Sequence, residues 1–399
     1  MAQPREAGCE QLGMKGTPQR QAAIYHTFNV EDLIEAGHPL RPIKRMVDRA
    51  LAAMSRTFKA AYSDAGRPGV PPETLLKALL LQCLYTIRSE RELCRRLKTD
   101  LLFRWFLDLR PSDDVFDHSV FTHNRDRLAE HGITQKFFDQ VVRQAIEAGL
   151  TSDEHFTVDG SLIQSHASLK SLKQIERQAS KNDDNDRGDG PSSSGERGRN
   201  PSVDFKGERR TNATHQSTTD PEAKLYRKSG GVGAFLCHSG HALTENRHGL
   251  VMGVRIDEAS GTAERENTLR MLDHVERRHG VRPATLGADK GYDAGPFLVE
   301  LERRWIEPHV AIKSGKIDPT GDHADDGTWA RWFVRSEQRR AAFKKSQRRR
   351  KLVEEFFGWA KTVAGMRRAR HVGREKIRQC FELAAAAYNL VRMRNLLAA

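Results

Sequence analysis

The chain has 399 residues, 38% of them hydrophobic, enough for two or three folded units with cores of their own. No apolar stretch approaches the roughly 18 residues of a membrane span, and the polar start lacks the core of a secretory signal, so a cytoplasmic protein is expected. Five cysteines (Cys9, Cys83, Cys94, Cys237 and Cys380) lie far apart, against a disulfide framework or a structural zinc site; the net charge of +13 asks for a polyanionic partner, most simply nucleic acid.

In chain order, residues 1–24 are polar, with Gly and Pro, and read as a loose tail. Residues 25–150 read as helical throughout. Leu75, Leu76, Leu79, Leu80, Cys83 and Leu84 make the apolar stripe of a packed helix over Glu73–Ile87. Ser89 and Glu92 have the spacing of a capping box, opening a second helix through Leu93 and Leu97. A third starts near Asp117, and a fourth carries Phe137, Phe138, Val141, Val142 and Ile146. Short helices with basic outer faces suit a DNA-binding unit of helix-turn-helix type, and equally a dimerisation module.

Past Gly149 the pattern changes. His155–Asp159 reads as a buried strand, with Gly160 turning the chain behind it. Residues 178–224 are rich in Asn, Asp, Gly, Ser and Pro, and read as a flexible insertion. Gly233–Cys237 and Gly249–Ile256 read as a hairpin joined by Ser239–His248. A helix over Glu264–His279, a strand over Ala284–Ala288, a helix over Ala294–Arg304 and a strand over Pro308–Ile312 follow. Long helices over Arg348–Val363 and Phe381–Leu397 close the pattern. This alternation makes 151–399 an α/β unit with a mixed sheet, in an order that fits a ribonuclease H-like core.

The densest charge lies at Arg339–Lys351, where eight of thirteen residues are Arg or Lys and none is acidic. A solvated helix face normally interleaves acids, so phosphate contact is the better reading. Cutting a phosphodiester, or attacking it with a DNA 3′-hydroxyl, suits two Mg²⁺ ions, one activating the attacker and one stabilising the departing oxygen. Mg²⁺ takes hard oxygen ligands and keeps several waters, so three converging carboxylates suffice, and Mn²⁺ can substitute. Asp159 and Asp289 each end a short apolar strand and are candidates. Asp293 precedes a helix, where capping is its natural role. Glu354 lies on a helix with Arg350 and Lys361 within roughly 40° of it, at about 100° per residue. Glu355 borders the same apolar arc, and helix geometry alone does not choose between the two. His215 and His238 are assigned to structure or DNA contact.

These motifs give a resemblance. Val158-Asp159-Gly160, then Gly287-Ala288-Asp289-Lys290-Gly291-Tyr292-Asp293, then Arg350-x3-Glu354-x6-Lys361 resemble the three acidic motifs of bacterial insertion-sequence DDE transposases, in the group of insertion sequence five. In that family's Tyr-x2-Arg-x3-Glu-x6-Lys signature the Tyr position is held here by Gln347. HPLRPIK, GRPGVPPETLLKALLLQCLYTIRSEREL and FRWFLDL resemble the family's helical N-terminal domain. The resemblance selects Glu354 over Glu355. It implies a ribonuclease H-like catalytic domain with Asp159, Asp289 and Glu354 as metal-holding catalytic acids. It further implies Arg348, Arg349, Arg350 and Lys361 on DNA, double-stranded DNA as partner, and a homodimer or larger synaptic complex associated with the nucleoid. A decayed relative that binds DNA without cutting it, and a plain metal nuclease, are the rival readings.

Overall fold

The structure is a computed structural model that describes residues 29–62, 69–175, 202–205, 208–227 and 233–398. The expected tail and the centre of the expected insertion lie outside those residues. The N-terminal part is helical: α1 (Val30–Leu33), α2 (Leu40–Ala52), α3 (Ser55–Ala61), α4 (Pro72–Leu84), α5 (Glu90–Thr99), α6 (Leu101–Phe106), α7 (Ser119–Glu130) and α8 (Ile133–Glu147). Local chemistry sets their ends. Ser89 Oγ accepts from the Glu92 N–H at 3.1 Å, and Asp100 Oδ1 accepts from the N–H groups of Leu102 and Phe103. Each satisfies backbone donors that the first turn leaves unpaired.

The remainder runs β1 (His155–Gln164), β2 (Leu172–Gln174), β3 (Ser202–Phe205), β4 (Glu208–Thr211), β5 (His215–Ser217), β6 (Lys224–Tyr226), β7 (Phe235–Glu245), β8 (Val251–Glu258), α9 (Ala263–His279), β9 (Thr285–Ala288), α10 (Gly295–Arg303), β10 (Glu307–Val310), α11 (Asp326–Glu337), α12 (Ala341–Arg349), α13 (Leu352–Thr362) and α14 (Arg374–Ala398). The main sheet has the order β10-β9-β1-β7-β8, with β6 also on β7. Strands β1, β9 and β10 are parallel and β7 is antiparallel to both β1 and β8. A meander of three strands, then two parallel strands added on the far side of the first, is the ribonuclease H-like arrangement. The fold is therefore a mixed α/β sheet preceded by a helical region.

Several boundaries differ from the sequence reading. Strand β1 does not end at Asp159 but continues to Gln164, and Gly160 is no turn: it pairs with His241 in the ladder. Likewise β7 continues through Ser239–Glu245, which polarity had suggested was a connection. His238, Ser239, His241, Thr244 and Glu245 are all buried, because β7 has a strand on either side. Glu245 makes the actual hairpin loop, its carboxylate accepting from the N–H groups of Arg247, His248 and Leu250. Short strands β3 to β5 form within the stretch 178–224, from Ser202 onward, and β6 begins at its last residue, Lys224. The helix expected over Arg348–Val363 is two helices, α12 and α13, and α11 fills a stretch that the sequence reading left without structure.

Helix α14 begins at Arg374, earlier than the apolar pattern suggested, and packs on α8, α4 and α2 as well as on β8. One apolar cluster consequently runs from Ile34 through the sheet to Met393. The change near residue 150 is a change of secondary structure, while the core continues across it. No helix of the described residues is long and apolar enough to cross a membrane. The four described cysteines, Cys83, Cys94, Cys237 and Cys380, are free thiols.

Candidate active site at the rim of the sheet

Register brings the first two acids together. β1 pairs with β9 at His155–Thr285, Phe156–Leu286 and Thr157–Gly287, and the same offset carries Asp159 to Asp289. The two carboxylates thus sit side by side where β9 stops and β1 goes on. Each bends back to a backbone donor: Asp159 Oδ1 accepts from the Gly160 N–H at 2.8 Å, and Asp289 Oδ1 from the Gly291 N–H at 2.7 Å.

The third acid arrives on α13, which packs Val353, Phe356, Phe357 and Ala360 inward and leaves Glu354 exposed. The break between α12 and α13 is a tight one, with Val353 and Glu354 bonding three residues back to Arg350 and Lys351. Arg350 caps α12 at this joint, and its Nη1 stands 3.8 Å from Asp159 Oδ2. Its Nε is buried with no hydrogen-bond partner. Lys361, nearly two turns past Glu354, donates to Ser161 Oγ on β1. Glu355 instead pairs with Arg392 of α14 at 3.0 Å. Arg348 and Arg349 are exposed at the end of α12.

The electrostatics at Asp159 report the crowding. Burial pushes its carboxyl up to about 6; the Gly160 N–H and Arg350 act in the opposite direction, while Asp289 and Glu354 add repulsion. An all-oxygen donor set under mutual repulsion is chemistry that fits a hard divalent cation. The carboxylates share one field without converging: among the described residues no three His, Cys, Asp or Glu side chains close on a single point that could hold a metal ion. The backbone bonds engage only the Oδ1 atoms of Asp159 and Asp289.

Two expected roles change. Asp293 caps no helix. It is buried and accepts from Arg331 at 2.7 and 3.0 Å and from the Lys313 N–H at 2.9 Å, so it ties α11 to the end of β10. Gln347, where the resemblance expects Tyr, donates to the carbonyls of Ala288 and His309 and so fastens α12 across the ends of β9 and β10. His238 is wholly buried against Asp220, which also accepts from Ser165, and His215 is buried beside Thr214. Glu264, in the first turn of α9, and the buried Tyr292 also lie at this rim, and the sequence reading gave neither a role of its own.

Two family models match parts of the chain. Residues 28–127 match the family described as Transposase domain (DUF772), and residues 209–390 match that described as Transposase DDE domain. Two stretches of the chain are thus similar, in order, to a transposase domain and to a transposase DDE domain. Asp289 and Glu354 fall within the second match; Asp159 precedes it and joins it through the β1–β9 pairing. None of the curated proteins matches the chain in sequence. Among solved structures, the piggyBac transposase synaptic complex with hairpin DNA aligns at 9% identity and a TM-score of 0.38, over 90% of this chain and 76% of that one. The Mos1 transposase paired-end complex with left transposon end aligns at 10% identity and a TM-score of 0.20, over 84% of this chain and 90% of that one.

Proposed function

We propose that the chain is an insertion-sequence transposase of the group of insertion sequence five, which binds the inverted-repeat ends of its element, cleaves there and transfers the freed 3′-OH ends to target DNA. The observation that supports this most directly is the β1–β9 register, which sets Asp159 beside Asp289 with Glu354 and Arg350 facing them. Asp159, Asp289 and Glu354 are the residues that would hold two Mg²⁺ ions, or Mn²⁺ in their place. Such a pair supplies activation of the attacking oxygen and neutralisation of the leaving one.

The chain's own groups do the rest. Arg350 stands beside Asp159 without hydrogen-bonding to it, so its guanidinium is available to a phosphate oxygen of the strand being cut. Lys361 leans on Ser161 and adds a second cation on the same side of α13. Arg348 and Arg349 extend the positive surface along α12 and would track the duplex backbone without reading sequence. Joining two ends calls for a dimer or larger complex on double-stranded DNA. The test is incubation with supercoiled DNA that carries the element ends: Mg²⁺-dependent nicking followed by joined products is expected. Binding without nicking would favour a non-catalytic relative, and nicking without joining a plain nuclease.

A further inference from the structure

One face of β1 meets α12 and α13 at three places, in the same order along both. His155, Asp159 and Ser161 point to the same side of the sheet, since side chains alternate along a strand. His155 meets Ser346, Asp159 meets Arg350, and Ser161 meets Lys361. The second and third contacts belong to the acid rim, whereas the first lies behind it. Ser346 is 4% exposed, and a β-carbon placed on Gly287 would lie 3.0 Å from its Oγ and 3.2 Å from His155 Nε2. A glycine two residues before Asp289 thus leaves this bond its room.

Neighbouring bonds fix its direction. The Thr285 hydroxyl donates to the Glu154 carbonyl at 3.0 Å, so its oxygen accepts from His155 Nδ1–H at 2.6 Å. Burial, with His309 alongside, holds the imidazole down at about 4, so the ring is neutral and Nε2 keeps its lone pair. Ser346 Oγ–H therefore donates to His155 Nε2 at 2.9 Å. The Ser346 carbonyl accepts from the Arg350 N–H at 2.9 Å, so the two residues stand one turn apart at the end of α12. Arg350 cannot hold itself in place: its Nη1 makes no hydrogen bond to Asp159 at 3.8 Å, and its Nε has no partner. The position of its guanidinium is inherited from the turn that carries it, and Ser346 ties that turn to the strand of Asp159. Gln347 fastens the same turn to the carbonyls of Ala288 and His309, so loss of the Ser346 hydroxyl should loosen the turn without detaching it.

Building on the transposase reading, in which Arg350 takes a phosphate oxygen, we propose that His155 and Ser346 are positioning residues that hold the Arg350 guanidinium at the acid rim. The experiment measures, on the full chain, affinity for supercoiled DNA carrying the element ends and the nicking rate at saturating DNA. The proteins are wild type, Ser346→Ala, Arg350→Gln, the double variant, His155→Gln and His155→Phe. Ser346→Ala should nick about 10–100-fold more slowly at little change in DNA affinity, the scale on which a small misplacement of an aligned group is felt. Melting checks that it is folded at the assay temperature. In the Arg350→Gln background the same change should cost less than about twofold, because the group it positions is gone. His155→Gln offers an oxygen to Ser346 and an N–H to Thr285, and should nick faster than His155→Phe. Wild-type nicking by Ser346→Ala overturns the proposal. Losses that multiply in the double variant overturn it too, and make the contact a general prop of the fold. If Ser346→Ala fails to fold, equal rates in His155→Gln and His155→Phe overturn it instead. A wild type that does not nick removes the transposase reading, full nicking by Arg350→Gln removes the role of Arg350, and either takes this proposal with it.

Discussion

Two aspartates, one in the middle of β1 and one just beyond β9, each facing an arginine, have opposite fates in this molecule. Asp293 is clasped by Arg331 through two hydrogen bonds and by the Lys313 N–H, and its carboxyl is held below the ordinary range by those bonds in spite of its burial. Asp159 has Arg350 at 3.8 Å with no hydrogen bond between them, carries the repulsion of Asp289 and Glu354 besides, and is pushed up to about 6. The first pair is complete within the chain and holds α11 against the sheet. The second is unfinished, with the buried Arg350 Nε lacking a hydrogen-bond partner. Residue types alone do not separate a structural ion pair from a site that awaits a substrate; the count of satisfied donors does.

The largest effect should fall on the unfinished side. Asp159→Asn, Asp289→Asn and Glu354→Gln should each lower nicking by at least about 10⁴-fold, the scale on which members of a catalytic unit fail. Binding to end DNA, followed by gel shift, should hold. Glu355→Gln should cut normally, since its partner is Arg392. If Glu355→Gln were dead and Glu354→Gln active, the third acid would be misassigned.

The finished pair should answer in stability. Asp293→Asn removes a fully buried partner of Arg331, and urea unfolding should show a loss of about 2–4 kcal/mol. Nicking by the fraction that remains folded should be near normal. A stability change under about 1 kcal/mol would mean that the clasp does not hold α11.

Glu382 sharpens the contrast, since a raised carboxyl need not mark a site. Burial pushes it up to about 7, above the ordinary 4.5, although Thr134 donates to it and Arg378 lies 3.3 Å away. Between pH 4.5 and 7 the unfolded chain gives up this proton while the folded chain keeps it, so stability falls as pH rises through that window and levels above it. The stability of Glu382→Gln relative to wild type should therefore grow by about 2–3 kcal/mol from pH 4.5 to 7.5. A gap that stays constant with pH would show the residue to be ionised in the folded state throughout.

The smallest effect concerns Arg348 and Arg349, exposed beyond the rim. Replacing both with Gln should leave stability unchanged and weaken specific and random duplexes alike. The slope of log affinity against log salt should fall by about 0.9 for each phosphate that is no longer neutralised. An unchanged slope would make this end of α12 a solvated surface. Lys361→Ala, by contrast, should reduce nicking more than binding.

The sequence by itself settled what depends on local pattern. Apolar spacing of 3.6 announced α4, α8 and α9, a capping serine placed the start of α5, and the motif around Asp289 put that acid just past a strand. The spacing of Arg350, Glu354 and Lys361 also survived the unforeseen break into α12 and α13, because the joint stays close to helical geometry. Where polarity and burial part company, pattern failed. β7 carries His, Ser, Thr and Glu yet lies inside the sheet, since its polar groups find partners only once the fold has formed. For the same reason Asp293 read as a cap until Arg331 arrived from a helix 38 residues on. That Asp159 and Asp289 are neighbours follows from strand register, and that Glu264 shares their corner follows from how α9 crosses two glycines. Local propensity is written in neighbouring residues; which distant carboxylates must bear one another's repulsion was decided only when the sheet closed.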